Sequence, residues 1–207
     1  MNQTMIGIMA DSHGQPDTIR DALAVFAARD CVSIYHLGDI CDSTRPETAE
    51  ACLRLLLERR VLSIRGNNDQ AILTNHTGRE GSPVSPQSLR ALNNLELVRY
   101  YREAILIHSL PFVQELGLSS MIGAMGPMEI RRFCDQFPGK ILFRGHSHNP
   151  EIAWLNRQQV KIRPLAVSSK LNLSTKIPCV VTCGALTRGL CLLWNPDENT
   201  IESVSFR

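Results

Sequence analysis

The stretch SIRGNNDQAI, residues 63–72, decides the fold, because an apolar run ending at Ile64 breaks there into Gly-Asn-Asn-Asp at 66–69. Taken alone, the segment is typical of a turn, since glycine tolerates positive φ and asparagine or aspartate side chains bond to their own backbone. Its place in the chain indicates a second interpretation. The run is the third of its kind, and all three end in residues that can bind a metal ion.

The first third of the chain alternates short apolar runs with helical patterns. The runs are TMIGIMA, VSIYHLGD and VLSIRGN. One helix is predicted from Pro16, with Ile19, Ala22, Leu23, Phe26 and Ala27 on one face, and a second after Pro46, with Ala49, Leu53, Leu56 and Leu57 on one stripe. This β-α-β-α-β order predicts a parallel sheet.

The rest of the chain is predicted to be richer in strands. Loops are expected over residues 76–86 and 109–126, with a short helix from Pro86 to about Leu95 and another near Pro127 to Phe137. The segments ELVRYY and AILIH are typical of a hairpin. Further strands are predicted in KILFRG, EIAWL, QVKIRP, IPCVVTC, GLCLLWN and TIESVSF. This pattern favours an α/β fold of two stacked sheets covered by helices, formed as one domain over residues 1–207.

The charge balance gives no large electrostatic reason to expect nucleic acid or an anionic membrane as a partner. Lysine and arginine number 22 against 20 aspartate and glutamate, for a net charge of +2. We interpret the nearest approach to a basic patch as a solvated face, which leaves a nuclease as a minor alternative. Its residues are Lys140, Arg144, Arg157, Lys161 and Arg163.

Cysteine usage and the N-terminus favour a soluble cytoplasmic protein. Seven cysteines are an odd number, no CxxC motif occurs, and most of the cysteines lie in apolar stretches, which indicates reduced, buried thiols. The segment MNQTMIGIMA has no basic region and too short an apolar run for a signal sequence or a membrane span.

Metal-ligand chemistry follows five of the predicted strands. In open α/β folds, ligands gather beyond the carboxyl ends of the strands. Those ends carry Asp11-Ser12-His13, Gly38-Asp39, Gly66-Asn67-Asn68-Asp69, His108 and Gly145-His146-Ser147-His148. In extended chain, residues two apart point the same way, so Asp11 with His13, and His146 with His148, are expected to face one cavity. The preceding glycines allow tight turns and close backbone approach.

This ordered set resembles the calcineurin-like metallophosphoesterase superfamily, whose pattern runs D-x-H, G-D, G-N-H-[DE], a lone H and G-H-x-H. The resemblance covers residues 11–148 and implies a four-layer α/β/β/α sandwich of two mixed β-sheets flanked by helices. It implies two divalent metal ions that share Asp39 as a bridge. One ion would be held by Asp11, His13, Asp39 and His148, and the other by Asp39, Asn67, His108 and His146.

Imidazole, carboxylate and amide ligands suit Mn, with Fe, Zn, Co or Ni as alternatives. Two dications bring four positive charges, of which Asp11 and Asp39 neutralise two. The excess can bind an anion and activate a water, whose hydroxide attacks the phosphorus of a small-molecule phosphoester. The chain looks closest to the small bacterial and archaeal phosphodiesterases of the superfamily, so a phosphodiesterase is expected, with a phosphatase as the wider class.

Position 68 departs from the pattern, since the family usually has a histidine that assists the leaving oxygen. We assign Asn68 and Asp69 to the catalytic apparatus, Asn68 near substrate and Asp69 as a carboxylate that orients the turn. A neutral amide cannot replace a general acid, so alkyl phosphates should react slowly and esters with acidic leaving groups faster. His36 and His76 are alternative proton sources, although a strand and a loop role fit them better.

The loop TCGALTRG, residues 182–189, corresponds to an Asn-Pro-Gly-Ser loop in relatives. Arg188 is the candidate substrate-binding residue here, with the capping of a hairpin as its alternative role. Thr182, Thr187 and Asn149 are further candidates. A rival class is a metal-binding scaffold for protein interaction, as in a retromer subunit that resembles the superfamily. The enzyme is favoured because every ligand position is filled and only the histidine at 68 is missing.

Overall fold

The computed structural model describes residues 4–206. In chain order, the strands are β1 (Ile6–Met9), β2 (Ser33–His36), β3 (Leu62–Ser63), β4 (Val98–Tyr101), β5 (Ala104–Ile107), β6 (Ile141–Arg144), β7 (Glu151–Asn156), β8 (Gln159–Pro164), β9 (Lys170–Asn172), β10 (Cys179–Thr182), β11 (Leu190–Asn195) and β12 (Thr200–Ser205). The helices are α1 (Pro16–Ala28), α2 (Ala49–Glu58), α3 (Asn67–His76), α4 (Pro86–Asn93), α5 (Val113–Leu116) and α6 (Pro127–Gln136). Short 3-10 turns cover Pro46–Thr48, Gly117–Met121 and Leu186–Arg188.

The strands form two six-stranded mixed sheets. The first has the order β3-β2-β1-β11-β12-β9 and the second β4-β5-β6-β10-β7-β8. Strands β1, β2 and β3 are parallel, as the alternating pattern predicts, whereas β11 joins β1 antiparallel, with Ile6 opposite Trp194. In the second sheet β5, β6 and β10 are parallel, and β4 and β7 are antiparallel to their neighbours. The expected α/β fold of two mixed sheets flanked by helices is confirmed.

Strand β1 shows how the two faces of the first sheet are used. Ile6 and Ile8 belong to a core that is formed by residues of both sheets. In this core the ring centroids of Phe143 and Trp194 lie 4.9 Å apart. The opposite face packs on helices. A Cβ added to Gly7 would lie 2.6 Å from the Phe26 ring of α1, so glycine at this position lets the helix approach the strand.

Helices α1 and α2 begin close to the predicted residues, but their apolar faces are narrower than expected. Ala27 is exposed on α1, and Leu57 of α2 is 62% exposed. On α2 the buried stripe is centred on Leu53 and Leu56 and is completed by Cys52. At 100° per residue Leu57 falls at the margin of this stripe, so solvent reaches its side chain.

Four elements differ from the sequence prediction. Helix α3 begins inside the stretch at 66–69, the region 109–126 contains α5 and a 3-10 turn, and β9 adds an edge strand to β12. The polar sequence of β9 does not predict a strand, and the strand forms because it pairs with β12. Among residues 4–206, none of the helices is long and apolar enough to cross a lipid bilayer.

Candidate metal centre

The five strand-end motifs meet at one end of the two sheets. Within the first sheet the Asp11 N–H donates to Gly38 O and the His13 N–H to Asp39 O. The second sheet is joined to this loop by the His146 N–H, which lies 3.2 and 3.1 Å from the two Asp11 carboxylate oxygens. The structure therefore brings together all seven side chains to which the resemblance assigns a metal.

Three of these side chains, Asp11, His13 and His148, form what we call the outer group. The Nε2 atoms of His13 and His148 are 3.1 Å apart, and His148 Nε2 is 3.6 Å from Asp11 Oδ1. The side chains of His13 and His148 are 20% and 30% exposed, whereas Asp11 is buried. Solvent, and hence a substrate, can reach this group.

A second set, Asn67, His108 and His146, forms the inner group. Asn67 Oδ1 lies 3.0 Å from His108 Nε2 and 3.1 Å from His146 Nδ1, and those two nitrogens are 3.2 Å apart. His108 is fully buried, and its Nδ1 donates to Leu37 O over 2.7 Å. This bond leaves the Nε2 lone pair of neutral His108 directed at the group, as in metal-binding histidines.

Asp39 lies between the two groups. Its Oδ2 is 3.8 Å from His13 Nε2 and its Oδ1 is 3.5 Å from His108 Nε2. One carboxylate oxygen therefore lies near each group, which fits the bridging role that the resemblance implies. The seven roles in metal binding stay predictions.

The donor atoms fit divalent metal ions in chemistry and spacing. Ligand atoms of Asp11, His13 and His148 lie within 4.8 Å of one another, as do those of Asp11, Asp39 and His108. Neighbouring ligands of one ion with bonds of about 2.0–2.2 Å lie roughly 3.0–3.5 Å apart, close to the contacts seen here. The nitrogen and oxygen set matches Mn and its first-row neighbours.

The electrostatics of the cluster also favour a bound cation. Burial, and next the charge of Asp39, raise the pKa of Asp11 well above its usual range. Burial lowers the pKa of His108, and burial with the neighbouring His108 lowers that of His146 to about 4. At neutral pH the imidazoles of His108 and His146 are thus in the uncharged form that binds metals, and a bound cation would neutralise the buried carboxylate charge.

Five of the seven candidate ligands are held by left-handed backbone rather than by extended strand. Strands β1 and β6 end at Met9 and Arg144, before the ligands begin. Positive φ angles follow at five of them, namely Asp11 (57°), His13 (44°), Asp39 (53°), His146 (67°) and His148 (62°). The expectation that alternation along a strand aims these pairs is therefore wrong. Left-handed turns aim the side chains individually, so His146 joins the inner group and His148 the outer one.

Two glycines let the loops that carry Asp39 and Asn67 approach each other. Gly38 has a φ of 86°, and a Cβ there would lie 2.7 Å from Gly66 N. A Cβ on Gly66 would lie 2.1 Å from Asp39 N. Any side chain at either position would separate the two loops, so the close approach expected from these glycines is confirmed.

The stretch at 66–69 is the first turn of α3. Asp69 is fully buried and its carboxylate accepts the N–H groups of Gly66, Ile40 and Cys41, at 2.9, 3.3 and 2.9 Å. Accepting from Gly66 caps the helix, and accepting from residues 40 and 41 ties the helix to the loop after Asp39. Burial, and next the charge of Asp39, raise the Asp69 pKa to about 7. Asp69 orients the turn, as interpreted from the sequence.

Asn68 contacts Asp39 through both its backbone and its side chain. The Asn68 N–H donates to Asp39 Oδ1 and its Nδ2 to Asp39 Oδ2, each over 2.8 Å. Its Oδ1 accepts from the Ser43 hydroxyl over 2.7 Å. The amide thus lies beside the proposed bridge, and every polar atom of its side chain has a partner.

His36 and His76, the alternative proton sources, are both committed to structural contacts. His36 is fully buried, its Nε2 lies 3.0 Å from Ser12 Oγ, and burial lowers its pKa to about 3. His76 is 8% exposed and its Nδ1 lies 3.2 Å from Ser82 Oγ. Neither imidazole is placed to protonate a substrate that arrives from solvent.

In the loop at 182–189 some residues are exposed and others are buried in the core. Arg188 is exposed, donates to Asn149 Oδ1, and lies close enough to His148 that its charge contributes to lowering the His148 pKa, after burial and His13. The Thr187 N–H donates to Asp11 O. Thr182 is 1% exposed and is thus unavailable to substrate.

Arg144 is a residue of the site that sequence reasoning missed. It was assigned to a solvated face, yet it is 2% exposed. Its guanidinium donates to Ser109 O (3.1 Å), Ser109 Oγ (3.2 Å) and Thr182 Oγ1 (3.4 Å). It therefore anchors the backbone that follows His108 to β10. The available signal was its position, since a single arginine ends the otherwise apolar segment ILF immediately before Gly-His.

A two-sheet α/β sandwich with a histidine, aspartate and asparagine cluster at its strand ends defines a metal-binding phosphoesterase fold. The calcineurin-like phosphoesterase superfamily domain matches residues 5–167, and the chain belongs to this superfamily. None of the curated proteins with which the sequence was compared matches it.

Solved structures share the fold at low sequence identity. A metallophosphoesterase from Sphaerobacter thermophilus aligns with a TM-score of 0.76 and 20% identity, over 100% of this chain and 90% of its own. A hypothetical protein from Pyrococcus horikoshii OT3 gives 0.67 and 12%, over 98% and 87% of the two chains. An archaeal phosphodiesterase gives 0.53 and 14%, over 98% and 99%. At these identities the likeness establishes the fold alone.

Proposed function

We propose that this chain is a dinuclear metal-dependent phosphodiesterase that hydrolyses a small-molecule phosphoester in the cytoplasm. The observation that carries the proposal is the division of the ligand-type side chains into two groups, with one oxygen of Asp39 directed at each. Two bound divalent ions, with Mn²⁺ expected first, would supply charge stabilisation for the phosphoryl oxygens and lower the pKa of a water.

The cytoplasmic assignment is supported by the cysteines. All seven are free thiols, and six of them are buried. Burial raises the pKa of Cys52, Cys179 and Cys191 to about 12, so these thiols are unreactive. Reduced, protected thiols are the usual state of cysteine in a reducing compartment.

The charges at the rim of the outer group support a diester substrate. Within residues 4–206 the Arg188 guanidinium donates to a neutral amide oxygen, that of Asn149, and pairs with no carboxylate, so its positive charge is available to an anion. Arg45, which donates to His13 O, is already paired with Asp42 over 2.8 Å. One available guanidinium suits the single negative charge of a phosphodiester better than the dianion of a monoester.

The chemistry at position 68 supports a preference for acidic leaving groups. The amide of Asn68 does not ionise, and its Nδ2 already donates to Asp39. His36 and His76 are buried, so none of these three side chains can protonate a leaving oxygen. General acid catalysis contributes about 10²–10⁴ in rate, and its loss costs most when the leaving group is a poor one. Aryl diesters and anhydride-like linkages are therefore the favoured substrates.

The proposal is tested by Mn²⁺-dependent hydrolysis of bis-p-nitrophenyl phosphate, with the monoester p-nitrophenyl phosphate measured in parallel. Asp39→Asn removes the shared carboxylate, and Asp17→Asn makes the same chemical change on the exposed face of α1. Diester turnover that Asp39→Asn abolishes and Asp17→Asn retains is the expected result. A chain that binds Mn²⁺ and turns over neither ester would be a binding module instead.

A further inference from the structure

The side-chain amide of Asn68 is held from two sides. Its Nδ2 donates to Asp39 Oδ2 over 2.8 Å, and its Oδ1 accepts from Ser43 Oγ over 2.7 Å and from the Ser43 N–H over 3.4 Å. The orientation of the amide follows from its partners. An ionised carboxylate can only accept and a backbone N–H can only donate, so the NH₂ end must face Asp39 and the oxygen must face Ser43.

Ser43 belongs to a turn that is fixed by its own hydrogen bonds. Asp42 Oδ1 accepts from the Thr44 N–H over 2.9 Å and from its hydroxyl over 2.6 Å, and Asp42 Oδ2 accepts from Arg45 Nε over 2.8 Å. Arg45 also donates to His13 O, which fastens the turn to the outer group. The Ser43 hydroxyl is therefore presented by a rigid support, and it aims at Asn68.

We infer that Ser43 is a positioning residue for the metal centre: it locks the Asn68 amide so that Asn68 holds the Asp39 carboxylate between the inner and outer groups. The inference rests on the proposed function for its catalytic meaning, but its structural content concerns metal binding. Without the Ser43 hydroxyl, the amide oxygen would keep only the 3.4 Å bond from the backbone N–H of residue 43, so the amide would be held less firmly. The carboxylate would keep the Asn68 N–H as a donor on one oxygen, and the Nδ2 donor on the other would be less well fixed.

The lock also explains how position 68 limits the chemistry. An amide whose NH₂ is committed to Asp39 cannot turn toward a leaving oxygen. The pair formed by Ser43 and Asn68 therefore holds the Asp39 carboxylate in place. As a consequence, the Asn68 amide cannot assist the leaving group. Substrate choice and metal affinity become coupled through one serine hydroxyl, which acts through the Asn68 amide.

The test is Mn²⁺ titration of Ser43→Ala, followed by the electron paramagnetic resonance of free Mn²⁺, with bis-p-nitrophenyl phosphate turnover as the second readout. Partners that orient metal ligands contribute about 10- to 100-fold to metal affinity, and we expect the low end, an increase in the Mn²⁺ dissociation constant of about tenfold. Thr44→Ala, on the same turn, removes a hydroxyl that donates to Asp42 but keeps the backbone N–H bond to the same oxygen, so it should change the constant less than twofold. Ser43→Thr keeps a hydroxyl and should restore most of the affinity.

A double-mutant cycle separates this role from a general loosening of the loop. Because Ser43 acts through Asn68, Ser43→Ala should add no further loss of affinity in an Asn68→Ala background. Unchanged Mn²⁺ binding in Ser43→Ala, additive losses in the double variant, or a wild-type chain that binds no Mn²⁺ would each overturn the inference. Weakened Mn²⁺ binding in Ser43→Ala, with no ester cleaved by the wild-type chain, would uphold the positioning role and reject the proposed phosphodiesterase.

Discussion

The inner and outer groups place similar side chains in different surroundings. In the inner group His108 is completely buried and its second ring nitrogen is committed to Leu37 O. In the outer group, His13 and His148 are 20% and 30% exposed and their nearest nitrogens face each other. The burial and fixed orientation of His108 should let the inner group retain a metal ion tightly, whereas the exposed histidines of the outer group are accessible to exchange and to substrate. If two ions bind as proposed, the inner half of the centre would retain its ion and the outer half would exchange it.

Asp39→Asn should have the largest effect on both groups, because this carboxylate lies between them. Loss of one negative charge between two cations should lower kcat/KM for the aryl diester about 1,000-fold and weaken Mn²⁺ binding in both halves. Steady-state kinetics and Mn²⁺ titration measure the two effects, with Asp17→Asn as the control. Weakening confined to one half would show that Asp39 is not a bridge.

A histidine at position 68 should supply a proton donor for the leaving oxygen, which neither the inner nor the outer group provides. Asn68→His supplies a group able to protonate a leaving oxygen, so hydrolysis of an alkyl phosphodiester should rise about 100-fold. Diesters with p-nitrophenyl leaving groups, which need little assistance, should change only a few fold. The slope of log kcat/KM against leaving-group pKa measures the difference. An unchanged slope would refute the role assigned to this position.

Matched histidine substitutions sharpen the distinction between the two halves. His108→Gln should weaken the tighter Mn²⁺ site about 50-fold, because it removes a buried ligand with a fixed orientation. His148→Gln should leave that site within about threefold and weaken the looser one. Two-phase Mn²⁺ titrations of both variants give the comparison. If the two substitutions affect the same phase, the partition into groups is wrong.

Arg144→Met tests whether the buried guanidinium anchors the backbone after His108 to β10. The substitution leaves Ser109 O and Thr182 Oγ1 without their donor, which should cost about 2 kcal/mol in the free energy of unfolding of the metal-free chain. Urea denaturation measures it. Arg163→Met, at an exposed position of β8, should stay within about 0.5 kcal/mol. Equal stability of the two variants would deny Arg144 its anchoring role.

The sequence predicted the strands and the loops that carry the site because those depend on local pattern. Every strand named from its apolar run is present, since alternation and turn residues act over a few positions. Helix α3 was missed for the same local reason. Gly66 and Asp69 are common in turns, yet here they are the cap and third residue of a helix. Only the bonds of Asp69 to residues 40 and 41 distinguish the two cases, and these are tertiary.

Burial of single polar side chains was less predictable. Arg144 looked solvated because arginine usually is. Its burial depends on Ser109, which follows β5, and on Thr182 of β10, and both meet it only in the folded chain. The orientation of Asn68 likewise depends on Ser43, a residue with no motif of its own. The sequence thus located the ligand types, and tertiary contacts determined how each is held.

The left-handed backbone at the candidate ligand positions limits the amino-acid types that such a centre can use. Five candidate ligands have positive φ, and the residues other than glycine that best tolerate this conformation are asparagine, aspartate and histidine. Two of these three are the types found at the five positions, and they are also metal-binding residues. Backbone conformation and coordination chemistry therefore select the same amino acids. To build this centre in another protein, one would first have to reproduce these turns. The turns would then permit few amino-acid types at the ligand positions.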